Sequence, residues 1–322
     1  MTQLLKHSNP ALMLGAKILS SEVLGGEDDF VTIRYVDGDN GSDSSNGLLP
    51  DTAFATIQAA ITASGARDIV KIRAIAPEAD ASEPGTYEED LTIPYDKWGL
   101  QLIGVSGTGM LQPFMGPKIK NATAVALLTV NAPGVHLSGL QFNCTRNSGT
   151  YGIRFRGVSG YATLAGSVGA LIDNCYIKNA SSTYGGINIF GGYATTVNRC
   201  TTGLGDNCLG IKTDCTSLPS NGHTIEYCNF KNNNGTSVAL HLNLAGNIKD
   251  FNVDHCNFDL ATQFIVTADG ATGLISNSNF NDGPNTVVAK STGKIQIDAA
   301  NDEIGVANCW SGNGVAVLSD GG

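Results

Sequence analysis

The chain of 322 residues has few charges and no long hydrophobic run. Only 15% of its residues are charged, and a net charge of −10 leaves no basic stripe to neutralise phosphates, which argues against a nucleic-acid partner. No segment approaches the ~20 apolar residues of a membrane-spanning helix, so no membrane partner is expected. The chain also lacks a P-loop, a dinucleotide-binding fingerprint and a Ser-His-Asp arrangement, which argues against those enzyme classes.

Signals for export and for zinc are also missing. Lys6, His7 and Pro10 interrupt any apolar segment near the start, so we expect synthesis in a host cytoplasm without a signal peptide. The eight cysteines include no C-x2-C pair, which argues against a zinc site. Most of them instead share one position of a repeated phrase, where we expect them to pack as small buried hydrophobes. These are Cys175, Cys200, Cys228, Cys256 and Cys309.

The sequence does contain a short phrase that recurs through its second half. In the copy at 225–230, apolar residues stand at 225, 228 and 230, whereas a single strand would alternate without interruption. The slip indicates two strands joined by a one-residue bend, where asparagine, which tolerates left-handed backbone angles, recurs. The bend positions are Asn174, Arg199, Tyr227, His255, Asn277 and Asn308, with Gly104 and Gly139 in two earlier copies.

The spacing of these phrases predicts the fold. Copies recur at intervals of 22 to 31 residues, which is typical of a solenoid of at least eight coils. Over about residues 33–311 the coils resemble the right-handed parallel β-helix of the pectate-lyase-like superfamily, and the segments at 35–61 and 85–93 resemble the opening of many such proteins. The resemblance implies an all-β, single-stranded right-handed parallel β-helix, most like phage and virus virion proteins with this fold.

Three parts are expected along the chain: an N-terminal arm at 1–30, the β-helix at 31–311 and a C-terminal tail at 312–322 that forms a last half-coil. Residues 53–64 are predicted to form a helix, capped by Thr52 or Thr56, that closes the end of the solenoid. The arm is predicted to contact a neighbouring subunit or a larger assembly, the alternative being a cap on its own core. Its apolar residues are Leu12, Met13, Leu14, Ile18, Leu19 and Leu24.

Two segments resemble catalytic phrases of enzymes with this fold. The segment 205–212 resembles the Gly-Asp-Asp-Cys segment of polygalacturonases, with Asp206 at the first aspartate. Asn207 stands at the second, and an amide cannot transfer the required proton. The segment 251–258 resembles the Trp-Ile-Asp-His segment of pectate lyases, but no arginine follows Arg199 to serve as the base of that family. A turn and an ordinary coil are the alternative interpretations.

A further candidate comes from position in the repeat, because the residue before each bend should point outward. These residues are Ser138, Asp173, Asn198, Glu226, Asp254, Ser276 and Ala307. At the strand spacing of a sheet, Glu226 and Asp254 would lie about 5 Å apart, and Asp173 and Glu226 about 10 Å apart. These separations bracket those of glycosidases. If the protein is an enzyme, Asp173, Glu226, Asp254 and Asp206 are its candidate catalytic residues; the alternative is a solvated face or a subunit interface.

Two weaker patterns concern ligands. Asp37, Asp39 and Asp43 alternate around a glycine, as in calcium-binding loops, but the closing glutamate is missing and turns stabilised by Asx side chains are the alternative. No other cofactor is expected. Four tyrosines in the long loops could stack on sugars. They are Tyr151, Tyr161, Tyr184 and Tyr193.

The sequence is compatible with two main functions. The first is a non-enzymatic phage virion protein, either a capsid decoration (cement) protein or a short tail spike or fibre, which forms homotrimers, binds other virion proteins through its arm and contacts a host surface glycan. The second is a polysaccharide depolymerase that uses the exposed carboxylates. A glycan-binding module without catalysis is a third reading.

Overall fold

A computed structural model shows how the chain folds. It describes residues 31–77, 85–105, 116–122, 126–144, 151–156, 168–179, 185–204, 209–232, 240–259, 263–267, 271–281, 286–290, 294–298, 310–311 and 317–319. Within these ranges the strands, in chain order, begin with β1 (Ile33–Val36), β2 (Ile69–Arg73), β3 (Thr86–Glu88), β4 (Leu91–Ile93), β5 (Gln101–Val105), β6 (Lys118–Lys120), β7 (Leu128–Val130), β8 (His136–Ser138), β9 (Gln141–Cys144) and β10 (Ile153–Phe155).

The strands continue through the repeated phrases. They are β11 (Leu171–Asp173), β12 (Tyr176–Asn179), β13 (Ile187–Ile189), β14 (Gly192–Tyr193), β15 (Thr196–Asn198), β16 (Thr201–Leu204), β17 (Leu209–Asn221), β18 (Thr224–Glu226), β19 (Asn229–Asn232), β20 (Leu240–Lys249), β21 (Phe251–Asp254) and β22 (Asn257–Asp259). The last are β23 (Gln263–Thr267), β24 (Thr272–Ser276), β25 (Asn279–Asn281), β26 (Thr286–Lys290), β27 (Lys294–Asp298), β28 (Trp310–Ser311) and β29 (Val317–Ser319).

These strands form three parallel sheets. Sheet A has 11 strands in the order β1-β2-β5-β8-β11-β15-β18-β21-β24-β27-β29. Sheet B has eight, from β3 to β25, and sheet C has ten, from β4 to β28. Strands that pair within a sheet lie one coil apart in the chain and run parallel. The described part of the chain is therefore a right-handed parallel β-helix, as the repeat predicted.

Apolar side chains from all three sheets fill the interior. On sheet A, Ile172, Val197 and Ile225 occupy one inward column and are 0–4% exposed. Sheet B contributes an inward column that contains Phe142, Phe230 and other buried side chains. Burial of each such side chain contributes about 1.5–3 kcal/mol before the entropy of ordering is counted, so the columns are the main source of stability.

The predicted bends are confirmed at five positions. The φ angles at these positions lie between 48° and 53°, in the left-handed region, at Asn174, Arg199, Tyr227, His255 and Asn277. Each bend separates a sheet A strand from a sheet B strand, as the slip in alternation predicted. Asn308 lies outside the described residues.

The prediction for Gly104 was wrong, although Gly139 does form a bend, with φ at 66°. Gly104 lies inside β5, paired with Ile72 of β2. A Cβ atom at Gly104 would lie 2.1 Å from the carbonyl oxygen of Gly139. The glycine is therefore needed for a close approach of two backbones and not for a left-handed angle.

The cysteines stack in one interior column, as predicted. Cys175, Cys200, Cys228 and Cys256 are free thiols and at most 2% exposed. The Cys200 thiol lies 3.5 Å from the carbonyl oxygen of Ile172, on the preceding coil, and burial raises its pKa well above the usual value. Neutral, buried thiols of this kind act as small packing groups. Cys309 lies outside the described residues.

The helix that closes the N-terminal end is shorter than predicted. Helix α1 (Ile57–Ala63) begins at Ile57 and not at residue 53, because Phe54 forms a parallel bridge with Val36 of β1. Thr56 caps the helix by accepting a hydrogen bond from the Ala59 amide. Thr52 belongs to a separate 3-10 helix at Pro50–Thr52.

The side chain of Glu89 fixes the start of helix α1 against the β-helix. Its carboxylate oxygens accept hydrogen bonds of 2.9 Å from the amides of Ile57 and Gln58, which would otherwise be unpaired.

Among the described residues, no helix has the length and apolar character needed to cross a membrane.

The last two strands extend the sheets towards the C-terminus. Strand β28 pairs with β26 in sheet C. Strand β29, which lies in the tail at 312–322, pairs with β27 in sheet A. The predicted arm at 1–30, with its apolar contact residues, lies outside the described residues.

A buried hydroxyl gives a stability prediction. Thr202 is 1% exposed in the inward column of sheet B, and among the described residues its hydroxyl has no hydrogen-bond partner. We expect Thr202→Val to raise the free energy of unfolding by about 1–2 kcal/mol, because it removes an unsatisfied polar group. Urea unfolding would measure this change. Thr224→Val on the outer face of sheet A is the control and should change the free energy of unfolding by less than about 0.5 kcal/mol. A lower free energy of unfolding in Thr202→Val would contradict the prediction.

Candidate functional site

Six of the seven outward residues predicted from the repeat form one column on sheet A, and the seventh, Ala307, lies outside the described residues. Register pairs Asp173 with Asn198, Asn198 with Glu226, and Glu226 with Asp254. Ser138 precedes this group and Ser276 follows it. Neighbouring strands in a sheet lie about 4.8 Å apart, so Glu226 and Asp254 are neighbours on adjacent coils.

The bend residues form a second column beside the first. Arg199, Tyr227, His255 and Asn277 are exposed, and each follows directly after an outward residue of sheet A. We call the two columns together the corner surface. It comprises Asp173, Asn198, Glu226, Asp254 and Ser276 of sheet A and the bend residues Arg199, Tyr227, His255 and Asn277.

The carboxylate of Asp173 is hydrogen-bonded to residues of the next coil. Arg199 donates from Nε to Oδ1 at 3.0 Å and from Nη2 to Oδ2 at 2.8 Å, and the side-chain amide of Asn198 donates from Nδ2 to Oδ1 at 3.1 Å. Both carboxylate oxygens of Asp173 are therefore occupied. Because the Arg199 side chain is 62% exposed, the pair contributes only about 0–1 kcal/mol to stability. The geometry favours a positional role for Asp173 over catalysis.

Asp254 is held as an anion by its neighbours. Its Oδ1 accepts hydrogen bonds from Ser276 Oγ at 2.8 Å and Asn277 Nδ2 at 2.9 Å. Its Oδ2 lies 2.8 Å from Nδ1 of His255. Burial alone raises the pKa of Asp254, but the hydrogen bonds from His255, Asn277 and Ser276 outweigh it and hold the pKa below the usual value. Asp254 is therefore ionised at neutral pH.

Glu226 differs from the other two carboxylates of the column. Its side chain is half-buried, and among the described residues it has no hydrogen bond or ion pair. It lies one coil from the ionised Asp254. The carboxyl group of Glu226 is therefore available to a ligand, whereas that of Asp254 is fully hydrogen-bonded.

An exposed aromatic pair lies directly beside Glu226. The rings of Tyr227 and His255 stack with centroids 4.9 Å apart and an interplanar angle of 23°. Tyr227 is 53% exposed. An exposed ring flanked by carboxylates, amides and a guanidinium suits a ligand with both apolar faces and hydroxyl groups. The sequence analysis identified Tyr227 and His255 only as bend residues and did not predict that their rings stack. Their occurrence at the same position of consecutive coils could have predicted the stacking.

The remaining sequence-predicted site residues do not join the corner surface. Asp206 lies outside the described residues, as do Tyr161 and Tyr184. Tyr151 packs instead against Arg154, whose guanidinium lies 4.6 Å from its ring centroid. Tyr193 is exposed on β14, which pairs in sheet C.

The three aspartates of the predicted calcium loop contact separate neighbours. Asp37 accepts from its own turn and pairs with Arg73. Asp39 accepts from the Ala76 amide at 2.9 Å. Asp43 accepts from the amides and hydroxyl at 55 and 56, each at 2.9 Å. In the described ranges no three His, Cys, Asp or Glu side chains gather as a metal site would require. Only the contact of Asp37 with its own turn matches the alternative of a turn stabilised by an Asx side chain, because Asp39 and Asp43 accept from residues distant in the sequence.

Comparisons with known proteins found similar structures but no similar sequence family. No protein-family model and no curated sequence matches the chain. A pectin methylesterase from carrot is 12% identical, with 89% of this chain and 88% of that chain covered and a TM-score of 0.47. A rhamnogalacturonan lyase is 12% identical, with 84% and 75% covered and a TM-score of 0.48. A GH136 lacto-N-biosidase from Eubacterium ramulus is 9% identical, with 89% and 67% covered and a TM-score of 0.43.

The strand pairing alone shows that the described part of the chain has a parallel β-helix fold. Identities this low assign no activity to it, because one fold supports many functions.

Proposed function

We propose that the protein binds a polysaccharide on the corner surface and cleaves its glycosidic bonds. The observation that supports this most strongly is the position of the Glu226 carboxyl group, which is outward, without a partner among the described residues, and one coil from the ionised Asp254. Glycosidases require a carboxyl group that protonates the leaving oxygen and a second group of different protonation state. Glu226 would take the first role.

The neighbouring side chains supply recognition. The exposed face of Tyr227 would stack on the apolar face of a sugar ring. In the same column, Arg199 lies on the preceding bend and Asn277 two bends further along, and both carry groups that hydrogen-bond to hydroxyls. Because coils repeat about every 4.8 Å, the corner surface offers successive contacts to an extended polymer and fewer to a single sugar.

Incubation with purified polysaccharides tests the proposal. Capsular and cell-wall polysaccharides from bacteria would be mixed with the full chain, and the products assayed for new reducing ends and for unsaturated ends. New reducing ends without unsaturated ends are the expected result for hydrolysis. Unsaturated ends would show elimination instead, and neither product from any polysaccharide that the protein binds would overturn the enzymatic proposal.

Recognition by the aromatic pair gives a separate binding prediction. Tyr227→Asn removes the ring but keeps a residue that the same bend carries at Asn174 and Asn277. We expect the affinity for a bound polysaccharide to fall by about 3- to 10-fold, the loss of one stacking contact. Isothermal titration calorimetry would measure it, with Tyr193→Asn on sheet C as the matched control. Equal losses for the two variants would place the binding surface elsewhere.

A second candidate is the non-enzymatic virion protein expected from the sequence, a decoration protein or short tail spike that contacts a host glycan through the same surface. The contacts of Asp173 favour it, because one of the three carboxylates in the column already has a purely positional role. A homotrimer made in the host cytoplasm and attached through residues 1–30 belongs to this candidate. Polysaccharide binding without cleavage would favour it, and a trimeric mass in solution would support its assembly.

A further inference from the structure

We propose that the imidazole of His255, oriented by Asp254, is the base that activates water at the corner surface. The inference rests on the proposed function and names the second reacting group of that site. It differs from the sequence-based expectation, which named only carboxylates, Asp173, Glu226, Asp254 and Asp206, as candidate catalytic residues. It also gives a purpose to the Asp-His phrase at 254–255.

The protonation of Asp254 determines the tautomer of His255. An ionised carboxylate can only accept hydrogen bonds. The contact of 2.8 Å between Asp254 Oδ2 and His255 Nδ1 therefore requires that Nδ1 carries the hydrogen. In the neutral ring the other nitrogen, Nε2, then has a free lone pair and can accept a proton.

The surrounding contacts fix the position of the ring. Tyr227 stacks on one face, and the bend holds the backbone of His255 at φ 49°, with its amide donating to the Ser276 carbonyl. The side chain is nevertheless 46% exposed, so solvent and a ligand can reach it. Among the described residues, no hydrogen bond to Nε2 is present. An orienting carboxylate and an accessible second nitrogen are the two requirements for an imidazole base.

Glu226 and His255 are close enough to act on one bond. They stand on adjacent coils and are offset by one residue along the strand, which places their Cα atoms about 6 Å apart. The other charged group beside the ring is Asp254, and Arg199 lies two bends away, paired with Asp173. A water molecule and a glycosidic oxygen would therefore lie between a base and an acid.

The reaction balances with water as the only co-reactant. The oxygen of water attacks the anomeric carbon and forms a new C–O bond while Nε2 of His255 takes one of its protons. The glycosidic C–O bond breaks, and the proton of the Glu226 carboxyl group passes to the leaving oxygen. The products are a hemiacetal and a free hydroxyl group, and proton exchange with solvent returns a proton to Glu226 and removes the one taken up by His255.

Two measurements on the full chain test the inference. The first is the tautomer of His255, read from two-bond ¹⁵N–¹H correlations at a pH where the ring is neutral. We expect the hydrogen on Nδ1 in the wild type and a mixture of tautomers in Asp254→Asn. A wild-type ring with its hydrogen on Nε2 would overturn the inference without any reference to a polysaccharide.

The second measurement is cleavage by His255 variants of a polysaccharide that the wild type degrades. Asparagine and glycine both tolerate this bend, so His255→Asn and His255→Gly should fold, with circular dichroism as the check. We expect both to lose at least about 100-fold in rate, and added imidazole to restore part of the rate of His255→Gly. Wild-type rates in His255→Asn, or no response to imidazole, would overturn the inference while the proposed function stands. Absence of cleavage by the wild type would instead overturn the proposed function and the inference with it.

Discussion

Glu226→Gln is expected to lower the rate of polysaccharide cleavage by about 10²- to 10⁴-fold, the usual contribution of one general acid. Glutamine has nearly the same shape as glutamate but cannot donate the proton that the leaving oxygen needs. Because the side chain of Glu226 has no ion pair or hydrogen bond among the described residues, the substitution breaks no side-chain contact of the fold seen there. Binding should therefore persist while the rate falls, which is the signature of a group that acts in the transition state.

The experiment separates chemistry from recognition when kcat and KM are measured together. Initial rates of reducing-end release would be compared for wild type, Glu226→Gln and Ser138→Ala. Ser138 lies in the same outward column but three coils away, and its replacement should leave both parameters unchanged. A fall that appeared only in KM would assign Glu226 to binding. Unchanged parameters in Glu226→Gln would remove the carboxylate from the mechanism and leave the virion protein as the better candidate.

The backbone of the corner surface was predictable from the sequence, because each coil repeats the same local rule. An outward residue, a left-handed bend and an inward small residue recur at Glu226, Tyr227 and Cys228, and again one coil later. In-register stacking of coils then places equivalent residues side by side. Gly104 shows where the rule fails, since the residue type that permits a left-handed angle also permits a close backbone contact.

The chemistry of the site was much less predictable, because it depends on which side chains meet across coils. The column of outward acids predicted three equivalent carboxylates. Instead, Arg199 reaches back to Asp173, and His255 and Asn277 both contact Asp254. Each of these donors is a bend residue, whose side-chain direction no periodicity specifies. The distinction between a paired carboxylate and the unpaired Glu226 therefore appears only in the folded structure.

Phe230→Ala is expected to lower the free energy of unfolding by about 3–5 kcal/mol, the usual cost of removing a fully buried aromatic side chain. Phe230 is 0% exposed in the inward column of sheet B and stacks on Phe258 of the next coil, with centroids 4.7 Å apart and an interplanar angle of 5°. Its other neighbour in register is Thr202. The cavity would thus open on both sides of one coil, where rigid neighbouring coils restrict its collapse.

The same substitution tests how the interior supports the corner surface, since Phe230 lies on the coil that carries Glu226 and Tyr227. In a solenoid each coil contacts mainly its neighbours, so the loss should concentrate at this coil and the next. Hydrogen exchange should then accelerate for amides near 225–230 and 253–258 more than for those near 69–73.

Urea unfolding would give the total loss in the free energy of unfolding for Phe230→Ala, with Phe230→Leu as a control that keeps most of the volume and should cost less. A loss below about 1 kcal/mol would mean that the column is not close-packed, because full burial of a ring cannot be that weakly coupled to stability. A loss spread evenly over distant coils would mean that the β-helix unfolds as one unit, and that any substitution in its interior acts on the corner surface to the same degree.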